Sequence, residues 1–197
     1  MVNEVKSFLL FVVLFLVSFT SAGLAEDDVV TWKPDVNGWE ILVDRTIGNG
    51  CFMYTKYEKG TYLRMQFNPT SGDAEFIIGD TKWRSLEKGK LYPMSVQFGN
   101  LGPWTGNGRG FFFGEGAPSL ILSIPFKEDR ASNFIDEFMK MTSVKVKYED
   151  RQIAHLSLRG TYGAMEEVFS CQRAMFSTSD GGDPFSSNGA GSVDPFE

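Results

Sequence analysis

The chain holds one histidine, His155, and two cysteines, Cys51 and Cys171, so its menu of nucleophilic and metal chemistry is short. Serines and aspartates for a Ser-His-Asp site abound, but no G-x-S-x-G elbow is present. His155 stands in an alternating stretch, out of phase with Leu156, as a surface or half-buried strand residue would. A zinc site needs several His, Cys or carboxylate ligands at ligand spacing, and none is found. Paired carboxylates for glycoside hydrolysis remain open, since any two acids can meet in a fold. No pair is singled out, and Glu166-Glu167 and Asp27-Asp28 read as solvated surface. The glycine-dense run from Gly99 to Gly116 lacks the G-K-[ST] that closes a phosphate loop. The reading is therefore non-enzymatic, with no cofactor and no metal.

The cysteines carry more. Residues 1–25 have the pattern of a signal peptide: Lys6 as a thin positive start, offset by Glu4, then the apolar run FLLFVVLFLVSF from Phe8 to Phe19. Gly23-Leu24-Ala25 then fits a cleavage site before Glu26-Asp27-Asp28, and cleavage after Ala22 fits nearly as well. The apolar run is shorter than the roughly 20 residues of a spanning helix. No lipobox cysteine follows it, and no later run is long and apolar enough to cross a membrane. Two cysteines in an exported chain are most simply one disulfide, Cys51 to Cys171. Two buried thiols are the alternative; a redox pair normally sits in C-x-x-C. The formal charge of −6 argues against nucleic acid or anionic lipid as a partner. The expected location is periplasmic or secreted.

These residues need elements to hold them. The pattern predicts three regions: the leader (1–25), one α+β domain (26–176) and a Gly/Ser/Asp tail (177–197). The domain reads as an antiparallel β-meander or sandwich-like sheet, with two C-terminal amphipathic helices flanking a hairpin. Trp39–Asp44 is a strand, and Cys51–Phe67 is a hairpin turning at Glu58-Lys59-Gly60, with Leu63, Met65 and Phe67 alternating on its return. Short strands follow at Ala74–Gly79, Trp83–Leu86 and Leu91–Phe98, where Pro93 points to a sheet edge. Ser119–Phe126 is a strand ended by Pro125. The period then changes: Ala131, Phe134, Ile135 and Phe138 define a helix, about Asp129 to Met141, with Asp129 as its cap. Met139 and Met141 read as core filling. Val144–Tyr148 and Ala154–Leu158 form the second hairpin. Thr161 can cap a second helix, about Tyr162 to Met175, whose Ala164, Val168, Cys171 and Met175 share one face.

Two stretches are candidate contact sites. The first is Gly99–Gly116, read as a long loop presenting Trp104, Arg109 and Phe112 to a ligand such as a sugar or hydrophobic peptide. Phe111 and Phe113 read as core residues of the strand it leads into. The second is the tail, whose composition predicts disorder. It carries Asp-Pro-Phe twice, as Asp183, Pro184, Phe185 and as Asp194, Pro195, Phe196. Two weak sites on one linker would gain from effective concentration.

The opening GWEILVDRTIGNGC (Gly38 to Cys51) and the late LSLRGTYGAMEEV (Leu156 to Val168) resemble exported bacterial proteins of the invasion-associated locus B type. The likeness covers the ends of the domain and leaves the middle unmatched; the further cysteines of that family are missing. It implies a β-rich envelope protein linked to host interaction, with no catalytic residue to transfer. The reading is thus an exported binding or accessory protein with a protein partner in the envelope, inhibitor-like or host-directed. Two alternatives stand beside it: a structural envelope protein without a specific partner, and a carboxylate-dependent hydrolase of wall polymer.

Overall fold

A computed structural model describes residues 28–113, 116–127 and 129–179. The expected leader and both Asp-Pro-Phe motifs lie outside the described residues.

The first five strands form a meander: β1 (Val29–Val36), β2 (Trp39–Asp44), β3 (Gly50–Lys56), β4 (Thr61–Asn68) and β5 (Asp73–Asp80). Then come β6 (Leu91–Phe98), β7 (Trp104–Phe113) and β8 (Ala117–Pro125), helix α1 (Arg130–Lys140), the hairpin β9 (Ser143–Tyr148) and β10 (Arg151–Ser157), and helix α2 (Thr161–Ser179). All ten strands join one sheet in the order β1-β2-β3-β4-β5-β8-β7-β6-β9-β10. Every pairing is antiparallel. The expected α+β class, meander and closing α–β–β–α half are present.

Alternation builds the core. Ile41, Val43, Cys51, Met53, Leu63, Met65, Phe76 and Ile78 are buried on one sheet face, with the helices against them. From α1, Phe134 meets Phe98 at 4.9 Å and Phe76 at 5.7 Å, each edge to face. From α2, Ala164, Val168 and Cys171 enter the same core. The sheet curls around this cluster: Trp39 Nε1 donates to the Arg159 carbonyl (3.0 Å) and Tyr57 hydroxyl to that of Ser157 (2.6 Å). Those bonds bring β2 and β3 to the far end of β10. The bridge Cys51–Cys171 joins β3 to α2 across 120 residues.

Several local expectations are corrected. Gly99–Gly116 is not a loop: from Trp104 to Phe113 it is the ten-residue strand β7, paired with both β6 and β8. Its glycines are there for close approach. A Cβ at Gly108 would collide with Met94 Sδ, and one at Gly110 with the Glu87 carbonyl. Phe111 and Phe113 are half-buried and pack edge to face on each other at 4.8 Å, outside the main core. Trp83–Leu86 is a series of turns, because Asp80 accepts from Lys82 N (2.9 Å) and Trp83 N (3.0 Å) and bends the chain. Pro93 is the third residue of the interior strand β6 rather than a mark of a sheet edge; its carbonyl accepts from Glu149 N, so its missing N–H faces the turn beyond β9. Asp129 makes no side-chain cap: it stands at φ 57°, and its carbonyl accepts from the Ser132 hydroxyl. Thr161 lies inside α2, and its hydroxyl is 2.8 Å from the Leu158 carbonyl, a donor position rather than a capping acceptor. Helix α2 continues to Ser179, past its expected end at Met175.

The edge strand β1 is mostly exposed, and α2 latches it. Glu167 accepts from Trp32 Nε1 (3.0 Å) and pairs with Lys33 Nζ (2.6 Å). Hydrogen bonds from Lys33 and then Trp32 hold its carboxyl below the ordinary range. A depressed folded pKa gives stability that is present above the unfolded value and lost as pH falls through the folded one. Amide exchange should therefore show β1 less protected at pH 3 than at pH 7. Glu167→Ala should bring the pH 7 pattern close to the acid one. Unchanged β1 protection in that variant would show that the latch contributes nothing.

Candidate functional site

The sequence candidates on β7 do not converge. Strand alternation sends Trp104 and Phe112 to one face and Arg109 to the other. Trp104 and Phe112 are also about 26 Å apart along the strand at ~3.3 Å per residue. Trp104 is tied down: its Nε1 donates to Glu137 Oε2 (2.7 Å), and its ring meets Phe134 at 5.3 Å with the Arg130 guanidinium 5.7 Å away. It lines a shallow cleft beside Arg130 as part of the α1 packing. Arg109 is exposed opposite Leu91. Phe112 is half-buried in a hollow with Trp83 and Arg84. The histidine, His155, is exposed on β10.

A different place assembles aromatic surface. Phe67 ends β4, the β4–β5 turn supplies Pro69 and Gly72, Phe126 follows β8, and α2 supplies Phe169, Gln172, Arg173 and Phe176. The four α2 residues recur at three, one and three, a helical stripe beside the one that carries Cys171. Phe67 stacks on Phe169 at 5.6 Å and meets Phe126 at 5.7 Å. These walls enclose an open groove of about 410 Å³. Phe126 and Phe176 are 54% and 55% exposed, unusual for phenylalanines flanking one hollow.

The groove is built on rigid parts. The Asn68 side chain accepts from Thr70 N and Ser71 N, each at 3.1 Å, and its carbonyl from Gly72 N at 2.8 Å. Beneath the groove, Gln172 accepts from Cys51 N (2.8 Å) and donates to the Asn49 carbonyl (3.3 Å), beside the disulfide. The α2 wall is thus fixed to β3 by one covalent bond and one hydrogen bond, and to Asn49 just before it by another. The exposed Arg173 and the half-buried Asp73 are the charged residues of its lining. An apolar floor with one cation at its lip suits a segment that offers an aromatic side chain and a nearby carboxylate.

The other sheet face holds a buried polar row. Arg64 and Asp44 form an ion pair at 2.6 Å with side chains 8% and 9% exposed. Beside them Gln66 donates to Glu75, and the Arg64 guanidinium lies 3.5 Å from the Phe52 ring centre. Burial lowers the Arg64 pKa, and the bond to Asp44 opposes that shift. Tyr54, Tyr62 and Phe113 wall a groove of about 430 Å³ over this row. Two carboxylates against one guanidinium leave the row formally negative, so it is no anion site.

No family model matches this chain, and no curated protein matches it in sequence. Among solved structures, the chain bears a weak resemblance to invasion associated protein B from Bartonella henselae. The two share 11% identity at a TM-score of 0.49, over 73% of this chain and 99% of that one. Among the described residues, no helix is long and apolar enough to cross a membrane.

Proposed function

We propose that this is an exported, non-enzymatic binding or accessory protein of the bacterial cell envelope. It takes an extended segment of a protein partner into the phenylalanine groove between α2 and the β4–β5 turn. The segment is acidic and aromatic: the ring fills the hollow between Phe67, Phe126 and Phe176, and the carboxylate meets Arg173. The observation that carries this reading is the pair of exposed phenylalanines, Phe126 after β8 and Phe176 on the α2 wall that Gln172 and the disulfide lock. A pre-formed hollow spares the partner the cost of ordering the receptor. The leader pattern and the disulfide support export.

The test starts from the full oxidised chain, immobilised in native envelope extract, with the captured protein identified and purified. Its affinity is then titrated against the native chain and against Phe126→Ser/Phe176→Ser. Both rings are more than half exposed, so the variant should keep its circular dichroism. Binding at least tenfold weaker is expected, about 1.4 kcal/mol or more. Equal affinity for the two chains would remove the groove from the interaction.

A further inference from the structure

Resting on that reading of the groove, we infer that its resident occupant is the chain's own first Asp-Pro-Phe, Asp183 to Phe185, folded back in cis. The partner must displace it. The groove lies on the last turns of α2, where the described chain ends at Ser179. Phe185 follows Ser179 by 185 − 179 = 6 residues, a reach of up to about 20 Å. Phe176 stands about 4.5 Å back along the helix axis from Ser179 and Phe169 about 15 Å back, at ~1.5 Å per residue. The segment therefore need only reverse direction to enter. Gly181 and Gly182, directly before Asp183, suit that reversal.

The chemistry matches residue by residue. Phe185 has the ring that the Phe67–Phe126–Phe176 hollow accommodates. Asp183, two positions earlier, supplies a carboxylate for Arg173, whose guanidinium pairs with no described carboxylate. Asp73, the acidic residue of the lining, repels that carboxylate and so favours an orientation with the acid at Arg173 and the ring inward. Pro184 limits the backbone freedom lost on docking.

The second copy, Asp194 to Phe196, is less suited to this role. Its phenylalanine lies 196 − 179 = 17 residues beyond the helix end. Effective concentration falls as about the −3/2 power of linker length, so the second copy is roughly fivefold less concentrated at the groove. The first copy therefore fills the site, while the second stays available to other contacts. Occupation in cis makes the site self-regulated: a partner must outcompete a tethered competitor at a local concentration on the order of 1 mM.

The experiment uses a fluorescent peptide of residues 180–188, DGGDPFSSN, titrated by anisotropy on three full-length oxidised chains. These are the native chain, Phe185→Ala/Phe196→Ala, and that variant with Phe126→Ser/Phe176→Ser added. The tail variant should bind the peptide about tenfold more tightly than the native chain, as expected for a peptide Kd near ~100 μM competing with a millimolar tether. The added groove substitutions should abolish binding. Equal affinity for the native chain and the tail variant overturns the proposal, as does absence of saturable binding to the tail variant. If the groove variant still loses the purified partner in that case, the groove stands and only its occupant is wrong; if it does not, both fall. Sedimentation is run in parallel. A native dimer that becomes monomeric in the tail variant would mean that the tail fills a neighbour's groove, which overturns the cis form.

Discussion

Reduction of the Cys51–Cys171 bridge is expected to lower the stability of the fold by about 4–5 kcal/mol. The size follows from the 120-residue separation, since the bridge chiefly restricts the unfolded chain and a long loop loses most when opened. In the folded state the loss is local: Val168 and Ala164 still anchor α2, and Gln172 still holds Cys51 N. Urea unfolding of the native chain with and without reductant, and of Cys51→Ala/Cys171→Ala, measures the effect. The reduced chain and the variant should agree and retain a native-like spectrum before the transition. A loss below about 1 kcal/mol would show that the unfolded chain already keeps β3 and α2 together without the bridge.

The second large effect belongs to the buried ion pair. Asp44→Ala should destabilise the fold by about 3–5 kcal/mol, because it leaves the Arg64 guanidinium desolvated without its partner. The bonds that Asp44 accepts from Thr46 N (3.1 Å) and Thr46 Oγ1 (2.6 Å) are lost as well. Arg64→Met should cost less. It removes the charge, and the methionine can lie on the Phe52 ring where the guanidinium now sits. The double variant should then be more stable than Asp44→Ala alone, since no unpaired cation remains. A double-mutant cycle by urea denaturation reads this coupling directly. Additive losses would show that the pair does not act as a unit.

The parts of this fold that were legible in the sequence are those where one periodicity dominates. In the Cys51–Phe67 hairpin Cys51, Met53, Leu63 and Met65 alternate in sequence and reach the core, although the opposite face is buried as well, and α1 shows its buried Ala131, Phe134, Ile135 and Phe138 at helical spacing. The stripe through Ala164, Val168 and Cys171 pointed to a disulfide with the first hairpin, and the two cysteines are bonded. Other parts were hidden because local composition and tertiary role conflict. In β7, glycines that read as loop are there to admit Met94 and the Glu87 carbonyl, so propensity gives the wrong answer where packing demands no side chain. The strand β1 escaped notice because it is an exposed edge carrying Lys33 and Pro34, although Asn37-Gly38 is a hairpin turn signal.

The groove was harder still. Its phenylalanines come from β4, from the end of β8 and from α2, and no short window of sequence holds more than two of them. Phe169 and Phe176, seven residues apart beside the cysteine stripe, were the one available hint of a second helix face. Trp104 and Phe112 looked like ligand contacts because aromatic residues among glycines resemble a presenting loop. Once that run is a strand, the same residues are split from Arg109 by the pleat.

The distance along the chain between the bridged cysteines also sets an order of events during synthesis. A polypeptide emerging N-terminus first, from a ribosome or a translocation pore, releases β1 to β5 early. Each of these strands hairpins onto the one just before it. Cys51 emerges with them and has no native partner until residue 171 follows. Through that interval it is a lone thiol on a growing sheet, open to any oxidant or foreign cysteine it meets. Native closure waits for the last helix, so the covalent bond acts as a final lock on a nearly finished chain. A nascent chain stalled before α2 would be held by its sheet alone and would carry its most reactive atom unguarded.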